Sequence, residues 1–278
     1  MRTLIFIELE KIFKKWRTYI GFIAIGVLVP IVQIALYFTG KDYLRALTHG
    51  LQDSFIMVGN LFNGYLVANL ILNALFIHIP FLIVLVGGDL LAGEATSGTY
   101  RMLLTRPISR FQVITAKFIA GVIYIISLLG WLAFLSLGVS ILIFGTGELI
   151  TFSDGLIIFQ SNDILWRFGM AYFFATISMA AVFSVSFFFS SLVENAIGPI
   201  VASMAVIIIF FILSALPIDI LQEMKTYFFT SHMGVWSNFF HDPVDYSEVF
   251  NSALVLLAHV FGLYGITLYI FIKKDILS

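Results

Sequence analysis

The chain of 278 residues has no cysteine, only six prolines and few charges, with 11% Asp, Glu, Lys and Arg against 60% hydrophobic residues. The missing thiols exclude disulfides and thiolate metal sites. So little charge, with a mean hydropathy of +1.04, leaves too little polar surface to cover a soluble globule. Gly87-Gly88 and Gly145-Thr146-Gly147 have no following Lys-Ser or Lys-Thr, so a loop that cradles ATP phosphates is absent. A membrane-embedded enzyme would need an H-E-x-x-H motif or a convergent nucleophile, acid and base, and neither is visible. The short alternating runs of a β-barrel are missing too.

Long apolar runs are present instead. Six are long enough to cross a bilayer core as helices, which takes about 20 residues each: 18–38, 62–86, 118–144, 168–192, 197–217 and 253–272. No long polar insertion separates them, so 1–278 reads as one all-α integral membrane domain. The run ending at Phe144 exceeds a span and should tilt or project. An even number of spans puts both termini on one side.

Lys and Arg in short loops resist translocation and choose that side. With the termini cytoplasmic, the inner set is Arg2, Lys11, Lys14, Lys15, Arg17, Arg101, Arg106, Arg110, Lys117, Lys273 and Lys274, against six acids, a net +5. The outer set has four basic and ten acidic residues, a net −6. The near-neutral total of −1 hides this asymmetry. Both termini are thus expected in the cytoplasm.

Residues 1–17 do not read as a cleaved signal, because the apolar run after them is too long. Leu4, Ile5, Leu9, Ile12, Phe13 and Trp16 recur at helical spacing, with Glu8, Lys11, Lys14 and Lys15 on other faces and Glu10 paired to Lys14 at i, i+4. This predicts a basic amphipathic helix in the inner interface, anchored by Trp16.

Between the second and third spans lies a charged segment, 89–110, which follows Gly87-Gly88, where the helix should loosen. Thr96 or Ser97 is placed to cap a short helix through Leu104, closed by Pro107. A solvated positive-inside linker is the plain alternative. The run Gly93, Glu94, Ser97, Gly98, Thr99, Leu103, Leu104, Thr105, Arg106, Pro107, Ile108, Ser109, Arg110 and Lys117 resembles permease subunits of ABC-2 type transporters. The layout is similar over nearly the whole chain, with an N-terminal amphipathic helix, six spans, the charged loop and an ordered extracellular segment between spans five and six. The resemblance implies that 89–110 is a coupling helix docking on a cytosolic ATPase, with Glu94, Arg101, Arg106 and Arg110 as charged contacts and Tyr100, Leu103 and Leu104 as apolar anchors. It also implies a working unit of two ATPases and two permeases, the second permease being a copy or a paralogue. ATP and Mg would sit on the ATPase, and this chain would hold no cofactor, perform no catalysis and bind no nucleic acid. The implied task is export of a lipid, hydrophobic peptide, drug or ion.

The alternative of an ion-coupled carrier or channel would want charged groups inside the spans. Acids here fall at loops or ends. Asn69, Asn73, His78 and His259 are the intramembrane polar candidates for a path, with His78 nearly opposite Asn69 on the helix. Gly198 and Ala202 have the spacing of a close helix contact, including one between two copies. In the outer segment 218–251, the aromatic half with Trp236, Phe239 and Phe240 is expected to re-enter the outer leaflet, while His232, His241, Asp242, Asp245 and Glu248 match no metal-site spacing. Gly155 and Asn162-Asp163 read as turn material.

Overall fold

The computed structural model describes residues 1–52, 60–98, 108–152, 155–218 and 223–273. The chain is an all-α membrane protein with six helices long and apolar enough to cross a bilayer. A short N-terminal helix, α1 (Arg2–Lys14), turns at Lys15 into α2 (Trp16–Gln52). Three helical pieces come next in close succession: α3 (Gly64–Phe76), α4 (Ile79–Gly87) and α5 (Asp89–Thr96). The third crossing is α6 (Arg110–Ala133), a π-helical turn (Phe134–Val139) and α7 (Ser140–Phe144). A hairpin of β1 (Leu149–Phe152) and β2 (Leu156–Phe159) leads to α8 (Ser161–Leu192) and α9 (Ile197–Ala215). A wedge of α10 (Phe229–Met233) and a 3-10 turn (Gly234–Phe240) precedes α11 (Tyr246–Lys273). Alternating directions place α1, the end of α5, the start of α6 and the end of α11 at a basic end. The hairpin and wedge lie at the other.

The second crossing is broken, where the sequence suggests one run. Pro80 lacks the N–H that a continuous helix would need there, so the chain tightens: His78 N–H bonds to Leu75 O and Phe81 N–H to His78 O. The Ala74 carbonyl, deprived of its helical donor, is met by His78 Nδ1 at 3.0 Å. At Gly87-Gly88 the helix is interrupted, α4 ending at Gly87 and α5 beginning at Asp89, although Gly88 keeps helical angles, φ −66° and ψ −25°. A Cβ on Gly87 would fall 2.0 Å from Ser186 Oγ, and one on Gly88 2.7 Å from Ile200 Cγ1. These glycines let α8 and α9 approach.

The π turn has its own polar brace. Gln33 Nε2, buried in α2, donates to Leu135 O at 2.8 Å and Ser140 Oγ at 2.9 Å, while Ser136 Oγ meets Tyr172 OH at 2.6 Å. With an extra residue in the turn, backbone carbonyls are displaced from the regular ladder, and Gln33 supplies a donor to one of them.

Helix α8 runs through the middle of the bundle. Phe118 of α6 packs within 5.5 Å of Phe183 and Phe187 and within 4.8 Å of Tyr264, ring to ring, joining α6, α8 and α11. The hairpin replaces the loop expected around Gly155. Its strands pair antiparallel from Leu149 with Phe159 to Phe152 with Leu156, and Leu149, Ile150 and Phe159 are buried. Asn162 and Asp163 lie in the first turn of α8, where a carboxylate suits the positive helix terminus. Arg167 closes this end. Its guanidinium bonds to Asp163 at 2.8 Å and to Phe239 O and His241 O at 2.9 Å, and covers the Phe159 ring at 4.2 Å. The wedge buries Phe229, Met233, Trp236, Phe239 and Phe240, so aromatic burial holds it in the bundle.

Candidate functional site

At the basic end, α1 packs chiefly along α6, and the side it buries carries Glu8 and Ile12. A period of 3.6 assigns Glu8 and Lys11 to the solvated face. The structure turns Glu8 inward because its partner waits there: Lys117 of α6 is 1% exposed. Lys117 Nζ lies 2.6 Å from Glu8 Oε2 and 2.7 Å from Glu94 Oε1. Lys11 Nζ closes the circuit, 2.7 Å from Glu8 Oε1 and 2.8 Å from Glu94 Oε1. Two lysines and two glutamates alternate in a ring of zero net charge. Burial alone would disfavour each charge, and only this pairing makes the arrangement tenable. At Lys11 burial lowers the pKa, but hydrogen bonds and charge attraction from Glu8 and Glu94 outweigh it and hold the ammonium above its ordinary value.

The ring joins three elements, with Glu8 and Lys117 109 positions apart in the sequence. Beside it Asp89, 8% exposed, accepts from Lys15 Nζ at 2.7 Å and Arg17 NH1 at 3.0 Å. The α1–α2 elbow is thereby bonded to α5. Thr18 Oγ1 donates to Ile12 O and fixes the angle of the elbow. Ser190 of α8 secures α5 from behind, accepting from Leu91 N–H and Ala92 N–H and donating to Gly88 O at 2.6 Å.

Helix α5 ends at Ser97, with Gly98 in the left-handed region at φ 66°, as glycine permits. Thr96 and Ser97 lie at the end of this helix, where Thr96 Oγ1 donates to Ala92 O and Glu194 O and Ser97 Oγ to Glu94 O; the short helix expected from there through Leu104 lies outside the described residues. Across the loop, α6 opens with a capping box in which Ser109 Oγ accepts from Gln112 N–H and the Gln112 side chain accepts from Ser109 N–H. Arg110 NH1 reaches the last turn of α11, donating to Phe271 O at 3.2 Å and Ile272 O at 2.8 Å. The segment between α5 and α6 is thus flanked by two firmly held helix ends. Of the expected docking residues, Tyr100, Arg101, Leu103, Leu104 and Arg106 lie outside the described residues. Glu94 is turned inward to the two lysines, and Arg110 is bonded to α11.

The intramembrane candidates do not converge. Asn73 Nδ2 bonds to Asn69 O and Oδ1 at 2.9 and 3.1 Å, on a face where Asn73 and His78 are exposed. His259 Nδ1 is satisfied by Val255 O at 2.8 Å and its ring lies 5.8 Å from Phe229. Gly198 is exposed on α9. In the outer segment His232 is held between Ser252 Oγ and Thr226 O, both at 2.9 Å, and Glu248 accepts from Asn238 Nδ2. Sequence reasoning missed the ring itself, and the available signal was Lys117 at the rim of an apolar run.

Comparison with known proteins adds two findings. A family profile described as "ABC-2 family transporter protein" matches residues 3–276. The chain is also 26% identical over 119 residues to "Uncharacterized protein YhcI" of Bacillus subtilis (strain 168), an alignment covering 41% of this chain and 37% of that protein. The chain therefore spans well under half the length of that relative.

Proposed function

From the chain's membership of the ABC-2 transporter family, a family of membrane permeases, we propose that it exports a substrate across a bacterial inner membrane, driven by ATP hydrolysed on two copies of a separate cytosolic ATPase. A second permease, a copy or a paralogue, completes the unit. The basic end faces the cytoplasm in this reading, and the loop between α5 and α6 is the coupling element. Tyr100, Leu103 and Leu104 supply its apolar anchors, and Arg101 and Arg106 its charged contacts.

The observation that carries the proposal is the closed ring of Glu8, Lys11, Glu94 and Lys117. A push on a flexible loop would be absorbed by bending. Here both roots of the loop are bonded to each other through Glu94 and Lys117, and to α1 through Glu8, so displacement of the loop moves α1, α5 and α6 together. Through Asp89 the same motion reaches the start of α2. Glu94 then acts as the rigid base of the coupling element rather than as a contact on its tip. Asn73 and His78 are exposed on α3 and on the turn after it, while Asn69 is half-buried and bonded to Asn73; an exposed amide and imidazole in hydrocarbon are costly, so this face suits a boundary with the second permease or with cargo.

The test is co-expression with an ATP-binding-cassette ATPase encoded beside this chain. The chain alone should hydrolyse no ATP, and the pair should copurify. Replacing Arg101, Leu103 and Arg106 should break the complex or uncouple its hydrolysis, and a fully assembled and coupled variant would refute the docking role.

A further inference from the structure

Next to the ion ring is a cavity of about 390 Å³ whose walls include Lys15, Arg17 and Asp89 on one side and Ile12, Val86 and Leu90 on another. It adjoins a more open hollow of about 500 Å³ that shares Lys15, Arg17 and Asp89 and passes Trp16. The charges around this space are uneven. Lys11 and Lys117 are matched by Glu8 and Glu94 in the ring, and Lys14 is matched by Glu10 at 2.5 Å. Lys15 and Arg17 share the single carboxylate of Asp89, which leaves one positive charge in a half-enclosed site. The side chains of Lys15 and Arg17 are 43% and 46% exposed. A guanidinium has five N–H donors and an ammonium three, and Asp89 takes one of each among the described residues.

We propose that this cavity binds the anionic phosphate of a membrane phospholipid headgroup, held by Lys15 and Arg17. One phosphodiester charge neutralises the surplus, and its oxygens accept the remaining donors, with Arg suited to a planar two-point contact. Helix α2 begins at Trp16, so the positive end of a long helix adds to the attraction. The apolar wall of Ile12, Val86 and Leu90 accommodates the glycerol and upper acyl carbons. Trp16, 72% exposed, stands at the mouth as an interface side chain does. The volume suits a headgroup rather than a whole lipid. A lipid seated there would lock the α1–α2 elbow onto α5, making the coupling region responsive to the lipid around it. The site itself depends only on the chain lying in a membrane, and not on the transport reading.

The test uses the purified full-length chain, delipidated in neutral detergent, with thermal unfolding and native mass spectrometry as readouts. Phosphatidylglycerol should be retained one to one and should raise the unfolding midpoint. Diacylglycerol, which lacks the phosphate, should do neither. The Lys15→Gln/Arg17→Gln variant should bind phosphatidylglycerol more weakly by on the order of tenfold for each charge-assisted bond lost. An Arg2→Gln/Lys273→Gln variant, with the same loss of charge at residues that do not line the cavity, should bind as the parent does. Equal binding by the two variants would overturn the site, because only bulk charge would then matter. If inorganic phosphate alone gave the full stabilisation and lipid added nothing, the lipid source would be overturned. Should the Lys15/Arg17 variant fail to fold, the contrast between phosphatidylglycerol and diacylglycerol on the parent chain decides, and equal effects from both would refute a phosphate site.

Discussion

Replacing Lys117 with Met keeps the length and most of the volume of the side chain but removes the only fully buried cation of the ring. Lys117 is 1% exposed and touches Glu8 and Glu94 at 2.6 and 2.7 Å. In Lys117→Met two nearly buried carboxylates must share Lys11, whose side chain is 39% exposed and whose attraction is weakened by solvent. Removing one partner of a buried ion pair costs about 3–5 kcal/mol. A fall on the order of 10 °C in the unfolding midpoint follows at the usual 2–4 °C per kcal/mol. The informative comparison is the double variant Glu8→Leu/Lys117→Met. It leaves Lys11 facing Glu94 alone, again neutral, and restores apolar packing between α1 and α6, so it should be more stable than Lys117→Met by itself. Thermal unfolding of the two single variants and the double variant in detergent, followed by tryptophan fluorescence, measures the coupling. Strictly additive losses would refute the ring as one energetic unit.

Four further outcomes follow from the geometry. Gln33→Leu strips the donor from Leu135 O and should cost about 1–3 kcal/mol, with faster amide exchange across Phe134–Val139 read by hydrogen–deuterium mass spectrometry. Gly64→Ala places a Cβ 2.6 Å from the backbone of Ile141; backbone cannot swing aside as a side chain can, so about 1–3 kcal/mol of overpacking should appear as a lower unfolding midpoint. Arg167→Met leaves Phe239 O and His241 O without their donor and should loosen the wedge at a cost of about 3 kcal/mol, seen as protease sensitivity around residues 234–241. The pH dependence of α1 has a definite sign. Lys11 is held above 10.5 in the folded chain, so its contribution is complete below that value and is lost only as pH rises through the raised one. Emission from Trp16, as the difference from a Trp16→Phe control, should be flat through neutral pH and shift only in strong alkali.

Much of the architecture is legible in the apolar runs, because a chain in hydrocarbon must close its backbone hydrogen bonds within each crossing helix. The basic and acidic loops sort the two ends for the same electrostatic reason throughout. What periodicity could not show is where charge is buried. Glu8 reads as polar and is assigned to solvent, yet a neutral ring becomes feasible when α1, α5 and α6 meet, and that meeting is a tertiary event. Some signals were in plain view. Pro80 lies inside the second apolar run and marks the break at Ile77 and His78, while Gln33 is a lone amide in the first span and has the π turn as its partner. Gly87 and Gly88 carry two meanings, an interruption of the helix or close approach, and the structure uses both, with α4 ending at Gly87 and with Ser186 and Ile200 packed against the pair. The hairpin was missed because Leu149–Phe159 is short and Gly155 with Asn162-Asp163 looks like ordinary turn chemistry, whereas burial of Leu149, Ile150 and Phe159 makes the strands.

The most direct test of the coupling role exploits the absence of cysteine from the chain. Leu103→Cys or Arg106→Cys introduces a unique thiol into the loop, and Tyr246→Cys places one at the opposite end as the control. Cross-linking to the co-expressed ATPase with a short thiol-to-amine reagent should give a permease–ATPase adduct from the loop positions, changed in yield by ATP, and none from Tyr246→Cys. An adduct from the opposite end with none from the loop would contradict the account.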